Sequence, residues 1–318
     1  MKNKRGWFLN FVLILLVLVV IAIGVYFLYM NLPGEPEDLN PVIIRPPIIQ
    51  NQTFSEVRQF YPNMKFNHNS ISYQINSDCD GEKKARMIDA FNNLASKVRI
   101  ISFHEVADNA DIDISCSENK KESIEEKHFV AGEGGAKEII QTDRYNVIND
   151  GLIFLYQKAN RNCDWANVEL HELVHVFGFG HSENPDSLMY PILEDCDQDL
   201  DEEIIVELKR LYSEQNLADL YFDEVIAVKK GKYLDFNLTI KNSGSINSEK
   251  TKFSVLDDGE LTEDFDLDII NYGAGIVIEI KNLKLNTRNP DEIRFVIDRA
   301  DLVDEIDEEN NVAVVSLN

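Results

Sequence analysis

The sequence predicts an α+β domain followed by an all-β sandwich, both carried behind one membrane-spanning helix. Three observations lead there. A long apolar run opens the chain, the next stretch mixes helical and strand periodicities, and from about residue 218 short alternating segments are separated by turn signals. The divisions read from these changes are 1–6 for a cytoplasmic N-terminus, 7–30 for a transmembrane signal anchor, 31–55 for a Pro-rich stalk, 56–216 for the α+β domain and 217–318 for the sandwich.

The first element rests on length and charge. Lys2, Lys4 and Arg5 precede an apolar stretch from Trp7 to Met30, and Phe11 to Met30 holds no charge. At ~1.5 Å per residue a helix of this length crosses a hydrocarbon core of ~30 Å. A cleaved signal peptide would have a shorter apolar core and a small-residue cleavage site, whereas this one ends in Tyr26, Phe27, Leu28, Tyr29 and Met30. The basic residues before the span put the N-terminus in the cytoplasm and the rest of the chain outside. Pro33, Pro36, Pro41, Pro46 and Pro47 follow, a composition that favours extended chain and predicts a semi-rigid stalk. Asn51-Gln52-Thr53 is a formal glycosylation sequon, a weak signal alone.

The composition excludes some functions. A formal net charge of −25 over 318 residues argues against nucleic acid, whose phosphates need clustered Lys and Arg. Apolar residues at 44% and charged residues at 27% fit folded domains. Four cysteines, Cys79, Cys116, Cys163 and Cys196, form no C-x-x-C pair, so a cysteine-built zinc site has no local support. An even number in an exported segment favours disulfides. Three pairings can be drawn. Cys79–Cys116 with Cys163–Cys196 is favoured, and four buried thiols are the plain alternative.

The chemistry is concentrated in His171-Glu172-Leu173-Val174-His175-Val176-Phe177-Gly178-Phe179-Gly180-His181. Val168 to Phe177 reads as an apolar helix. On it His171 and His175, four residues apart, project from one face and can offer two nitrogens to one metal. Glu172 lies beside them, within reach of a metal-bound water. Gly178 can take positive φ and end the helix, so that His181 swings back as a third ligand. Three histidines leave the open position that a catalytic zinc needs. The full string is far more specific than the bare H-E-x-x-H. The bland reading, a buried helix with incidental histidines, would leave three imidazoles without partners in an apolar segment.

On these residues the chain resembles the metzincin metalloproteases, and within them the matrixins. Ser187-Leu188-Met189-Tyr190-Pro191 is similar to the family's Met-turn, and Ser182 directly follows His181 as in matrixins. The resemblance implies a twisted mixed sheet, an active-site helix and a C-terminal helix. It also implies an apolar floor at Met189 beneath the histidines, and a pocket wall from Tyr190 and Pro191. The segments expected to match are strands at Ile71–Ile75, Ile101–Val106 and Ala110–Ile114, a helix at Lys83–Val98 and a final helix at Asp201–Gln215. Two family features are not visible: a cysteine-switch string and a His- and Asp-rich structural metal site. His68, His104 and His128 read as ordinary histidines. Gly132-Glu133-Gly134-Gly135 reads as a plain turn, with a substrate-facing loop as the alternative.

In the last hundred residues, strands are expected at Tyr233–Ile240, Lys252–Leu256, Ile276–Ile280, Glu292–Ile297 and Val312–Leu317, as in a β-sandwich. Ala218-Asp219-Leu220, Leu238-Thr239-Ile240-Lys241-Asn242-Ser243-Gly244 and Glu308-Glu309-Asn310-Asn311 make this part similar to the CARDB family of Ig-like modules. That resemblance implies an extracellular domain that binds a partner or spaces the enzyme. Asp298, Asp301, Asp304, Glu305, Asp307, Glu308 and Glu309 could take calcium, although such a run more often forms a solvated face.

The expected function is a membrane-anchored, zinc-dependent endopeptidase acting on peptide or protein substrates outside the cytoplasm, with one zinc ion on His171, His175 and His181 and Glu172 as general base. The alternative is a surface binding protein whose protease domain holds zinc with little activity. A third reading, an enzyme restricted to one partner, shares every motif with the first.

Overall fold

The computed structural model describes residues 4–46, 58–117, 121–122, 129–156, 166–193 and 196–317. Its first element is helix α1, Lys4–Asn31. The apolar side chains from Trp7 to Tyr29 are exposed around the whole circumference, with no protein core against them. A helix apolar on every face suits lipid rather than a protein surface, and it fits a single-pass anchor or a signal sequence. Two short strands follow, β1 (Pro36–Leu39) and β2 (Val42–Ile43). The expected sequon at Asn51 lies outside the described residues.

The α+β domain is built from β3 (Met64–Lys65), β4 (Ser70–Ile75), α2 (Gly81–Val98), β5 (Ser102–Glu105), β6 (Ile112–Ser117), a small hairpin of β7 (Lys121–Glu122) and β8 (Phe129–Val130), β9 (Gly132–Gln141), β10 (Asn146–Tyr156), α3 (Asn167–Val176) and α4 (Glu202–Ser213). Strands β5, β4, β6 and β10 run parallel; β9 runs antiparallel to β10 and forms an outer edge. Asp80 caps α2 by accepting from the Lys83 N–H at 2.8 Å, and Arg99 ends it in the left-handed conformation at φ 65°. Met87, Ala90, Phe91, Leu94 and Val98 recur at helical spacing and face the sheet. The Phe91 ring stacks on Tyr73 of β4 at 4.1 Å. The whole of α3 is buried, packed between α2 and the β9–β10 hairpin. Cys79 and Cys116 are disulfide-bonded, tying the entry of α2 to the end of β6. Cys196 is also disulfide-bonded, and Cys163 lies outside the described residues.

The strands expected at 71–75, 101–106 and 110–114 and both helices are present, with small shifts of boundary. Gly132–Gly135, however, is neither turn nor loop: it opens the ten-residue strand β9.

The sandwich contains β11 (Leu220–Lys230), β12 (Tyr233–Asn242), β13 (Thr251–Asp257), β14 (Glu260–Leu267), β15 (Gly275–Lys284), β16 (Glu292–Ile297) and β17 (Val312–Ser316). Alternate residues of β12 and β16 point into a core that includes Phe222, Phe236, Phe253 and Phe295. All five strands expected here are found; β11 and β14 were not expected.

In the described part of the proline-rich stretch, two segments are strands and do not stand free. Strand β1 pairs antiparallel with β11, Leu39 lying opposite Ala227, and β2 pairs with β17. The chain leaving α1 therefore completes both sheets of the sandwich, and Leu39 is buried in its core. The reason is backbone pairing: both sheets offer an open edge, and extended chain satisfies it.

The two domains meet at the turn between β9 and β10. Arg144 pairs with the buried Asp219 and with Asp307, Tyr221 donates to Asp143, and the Thr142 hydroxyl donates to the Ser243 carbonyl at 2.7 Å.

Candidate metal centre

Helix α3 sets His171 and His175 one turn apart on the same face. Its continuation is stopped at Gly178, whose φ of +84° belongs to the region that favours glycine. A side chain there would also meet the sulfur of Met64 at 2.2 Å. The chain reverses, and His181 returns toward the helix. The Nε2 atoms of His171 and His175 lie 3.0 Å apart, and those of His175 and His181 3.2 Å. Among the described residues this is the one group of three or more His, Cys, Asp or Glu side chains whose ligand atoms converge.

The outer nitrogens determine what the inner ones can do. His171 Nδ1 donates to the Leu188 carbonyl at 2.6 Å, and His175 Nδ1 donates to the Phe179 carbonyl at 2.7 Å. A carbonyl only accepts, so each Nδ1 keeps the hydrogen and each Nε2 keeps a lone pair. Burial pushes the His171 pKa down to about 3 and the His175 pKa down to about 4, and the neighbouring imidazoles add to the effect. Burial also lowers His181. Two lone pairs facing each other at 3.0 Å repel unless a cation lies between them. Nitrogens held tetrahedrally at ~2.0–2.1 Å from one zinc are themselves separated by about 3.3 Å, close to what is seen. The donor set therefore fits zinc. His171 and His175 are buried and His181 is exposed, which leaves one side of the cluster open.

The turn at 187–191 is tied to the histidines. Met189 is fully buried, and its carbonyl accepts from Ser182 N at 2.8 Å, joining the turn to the residue after the third histidine. The turn is fixed by its first residue: the Ser187 hydroxyl accepts from Met189 N at 2.9 Å and donates to Asp201 at the start of α4. Leu188, whose carbonyl orients His171, is held by an N–H bond to the Asp199 carbonyl. Tyr190 is half-buried and Pro191 exposed, at the rim.

Glu172 lies between α3 and β9. It is 6% exposed, and burial together with the nearby Glu133 carboxylate pushes its pKa up to about 8, against a hydrogen bond from Gly134 N. The approach of β9 depends on small residues. A Cβ at Gly132 would meet Glu172 Cγ at 2.6 Å, and one at Gly134 would meet the Glu172 carbonyl oxygen at 2.0 Å. Since Gly132 and Gly134 face Glu172, the alternate residues Glu133, Gly135 and Lys137 face away. They line a cavity of about 550 Å³ with Leu152, Phe154 and Tyr156. Tyr156 donates to Glu133 at 2.8 Å across it.

Several site-forming residues were not found from sequence. Arg58 to Phe60 runs antiparallel to Phe177–Gly180: Phe60 N donates to the Gly178 carbonyl at 2.7 Å, and Gly180 N to the Arg58 carbonyl at 2.9 Å. The Gln59 side chain holds this contact by donating to the carbonyls of Phe177 and Met64. The Phe60 ring lies 6.5 Å from that of His175 and is largely exposed. Glu169 is buried on the helix beside Lys83, at 3.0 Å, and Arg86. A charged residue at 169 was visible in the sequence; its two partners, more than eighty residues away, were not.

The other candidates lie elsewhere. His68 pairs with Asp111 at 3.0 Å, His104 sits near Ser70, and His128 is outside the described residues. In the acidic run, Asp298 accepts from Leu302 N and Val303 N, and Glu305 accepts from Leu220 N and Asn311. These carboxylates tie loops of the sandwich and do not converge on a common point.

Comparison with known proteins agrees with the two-part architecture. The matrixin family model matches residues 65–213 and the CARDB family model matches residues 217–315. Among curated proteins no significant match is found. Among solved structures, the chain is similar to the CARDB domain of the PF1109 protein from Pyrococcus furiosus in complex with di-metal ions. Identity is 21%, coverage 32% of this chain and 88% of that one, and the TM-score 0.26. It is also similar to a domain of a putative cell surface protein from Methanosarcina acetivorans, at 18% identity, 32% and 93% coverage and a TM-score of 0.26. With the histidine cluster inside the first matched region and the sandwich inside the second, the chain is a matrixin-type domain joined to a CARDB domain.

Proposed function

We propose that this protein is a membrane-anchored zinc endopeptidase whose catalytic and CARDB domains lie outside the cytoplasm. The observation that carries the reading is the convergence of three Nε2 lone pairs beside a buried carboxylate, with the Nδ1 hydrogens of His171 and His175 committed to carbonyls. A zinc ion held by His171, His175 and His181 would polarise a peptide carbonyl and acidify a water.

The remaining steps belong to the chain. The Glu172 carboxylate takes the proton from the attacking water, whose oxygen adds to the carbonyl carbon; the C–N bond then breaks as Glu172 returns the proton to the amine nitrogen. Among the described residues β9 pairs with β10 alone, and an extended substrate would bind by adding a strand to its other edge. Gly132 and Gly134 bring that edge against Glu172 and so align the substrate backbone with the histidines.

Metal content tests the reading. The purified full chain in detergent should carry one zinc per molecule, and His175→Ala should reduce this by at least about tenfold, as loss of one of three ligands predicts. A wild-type chain that takes up no zinc at neutral pH would contradict it.

A further inference from the structure

Where α1 ends, the sandwich touches it. The Arg288 guanidinium donates to the Leu32 carbonyl at 2.7 Å and lies 4.4 Å above the Tyr29 ring. Tyr233 donates to the Asn31 carbonyl at 3.1 Å. Gly34 and Gly231 abut backbone to backbone, a Cβ on Gly34 falling 2.9 Å from Gly231 N. The corner formed by the β11–β12 turn and the end of β15 thus lies against the end of the apolar helix. If α1 spans a bilayer, Tyr29 is in its last turn and this corner stands at headgroup depth.

The corner is basic in an otherwise acidic chain. Lys229, Lys230, Lys232, Lys281, Lys284 and Arg288 fall on the ends of β11, β12 and β15 and the loop that follows. Lys229 pairs with Glu37, Lys230 with Asp235 and Lys281 with Glu279. Glu35 and Asp38, on the same linker, oppose the rest, so the corner holds six cations against five carboxylates. Lys232 and Lys284 have no carboxylate within ion-pair distance among the described residues, and they share one end of the sheet: Leu285 N donates to the Lys232 carbonyl at 3.0 Å, and Lys284 pairs across from Tyr233. A chain of net charge −25 is repelled as a whole by an anionic surface, so a local cluster of the opposite sign beside the membrane exit has a directional effect.

We propose that this corner of the CARDB sandwich, through Lys232, Lys284 and Arg288, docks on the phosphate headgroups of anionic lipids around the anchor. It thereby makes the sandwich the membrane-proximal domain and holds the catalytic domain beyond it. The inference rests on the reading of α1 as a retained anchor. It goes beyond that reading, because an anchor alone assigns no lipid contact to the sandwich.

The test is amine footprinting of the full chain in nanodiscs of phosphatidylcholine with or without phosphatidylglycerol. Labelling of Lys232 and Lys284 should be about threefold to fivefold lower in the anionic discs, the size expected when each cation gains about 1 kcal/mol at such a surface. It should return to the zwitterionic level at high salt, which screens the attraction. Lys250, paired with Asp268 on another part of the sandwich, should label equally in both. Lys284→Glu should raise labelling of Lys232 in anionic discs. Equal labelling of Lys232 and Lys284 in the two lipids would overturn the proposal while leaving the anchor intact. A carbonate wash separates the two readings: a chain stripped from vesicles by it has no spanning anchor, and both fall together.

Discussion

Gly134 lies so close to Glu172 that a methyl group on its Cα would sit 2.0 Å from the Glu172 carbonyl oxygen. No flexible side-chain tip is available to yield: the obstacle is the backbone of α3 itself. The edge strand and the zinc-motif helix are therefore at their minimum separation, and that separation sets the distance from a strand-bound substrate to the proposed base. Gly134→Ala should destabilise the domain by about 1–3 kcal/mol or more through overpacking, and should lower kcat more than it raises KM. Gly135→Ala, where a Cβ meets nothing within 4 Å, should leave both thermal stability and activity near wild type. Equal behaviour of the two variants would show that the contact does not matter.

The metal-free site should give stability an unusual pH dependence. His171 and His175 take protons far less readily folded than unfolded, their pKa values falling from 6.5 to about 3 and about 4. Below pH 6.5 the unfolded chain therefore binds more protons, and stability is lost as pH drops toward 4. Glu172 works in the opposite sense. Its pKa rises from 4.5 to about 8, so the folded state binds more protons over that interval and stability falls as pH rises through it. Below pH 6.5 the lowered histidines, His181 included, oppose the raised carboxylates Glu172 and Glu305; above it the carboxylates dominate. Thermal unfolding of the chelator-treated chain should show a maximum near pH 6.5 and a decline toward pH 8. Glu172→Gln should make the decline shallower and keep the acid limb, the remaining slope coming from Glu305, whose pKa burial also pushes up to about 8.

The zinc helix also carries an ion pair on its hidden side. Lys83 and Glu169 meet at 3.0 Å with side chains 2% and 0% exposed. Glu169 also holds Arg86, so the sharper cut is at the carboxylate: removing it leaves the buried Lys83 without its counterion, and Glu169→Leu should cost about 3–5 kcal/mol. The double variant Lys83→Met with Glu169→Leu should recover most of that loss, because apolar packing can replace a buried pair. Denaturant melts of the three chains check this, and a double variant no better than the single would contradict it.

Much of this site is legible in the sequence, because its parts are local. His171, Glu172, His175, Gly178 and His181 lie within eleven residues, and helical geometry with one glycine is enough to bring them together. The favoured pairing Cys79–Cys116 is present, and Met189 is buried next to Leu188, whose carbonyl orients His171. Strand β9 was not legible. Gly132-Glu133-Gly134-Gly135 has no alternation of apolar residues; it is extended because β10 pairs with it and because α3 leaves no room for side chains. The same holds for Gln59, whose partners at Phe177 and Met64 come together only in the fold, and for Pro36–Leu39, which finds its partner strand some 190 residues later.

That last pairing is also testable. If residues 36–43 are strands of the sandwich and not a free tether, Leu39→Ala should destabilise the CARDB domain by about 2–5 kcal/mol, the cost of truncating a core leucine. Hydrogen exchange should rise along Leu220–Lys230, the strand that β1 covers, and stay unchanged in the zinc helix. A tether without structural role would tolerate the substitution.

The most direct test of the central claim is cleavage of an unfolded protein substrate by the full chain in detergent, with zinc chelation and Glu172→Ala alongside. The account predicts zinc-dependent cleavage that chelation abolishes and added zinc restores. It predicts a fall of at least about 10²–10⁴-fold in the Glu172→Ala chain, the range for loss of a general base, with zinc still bound. Cleavage that persists at the wild-type rate after chelation, or in the zinc-loaded Glu172→Ala chain, would contradict it.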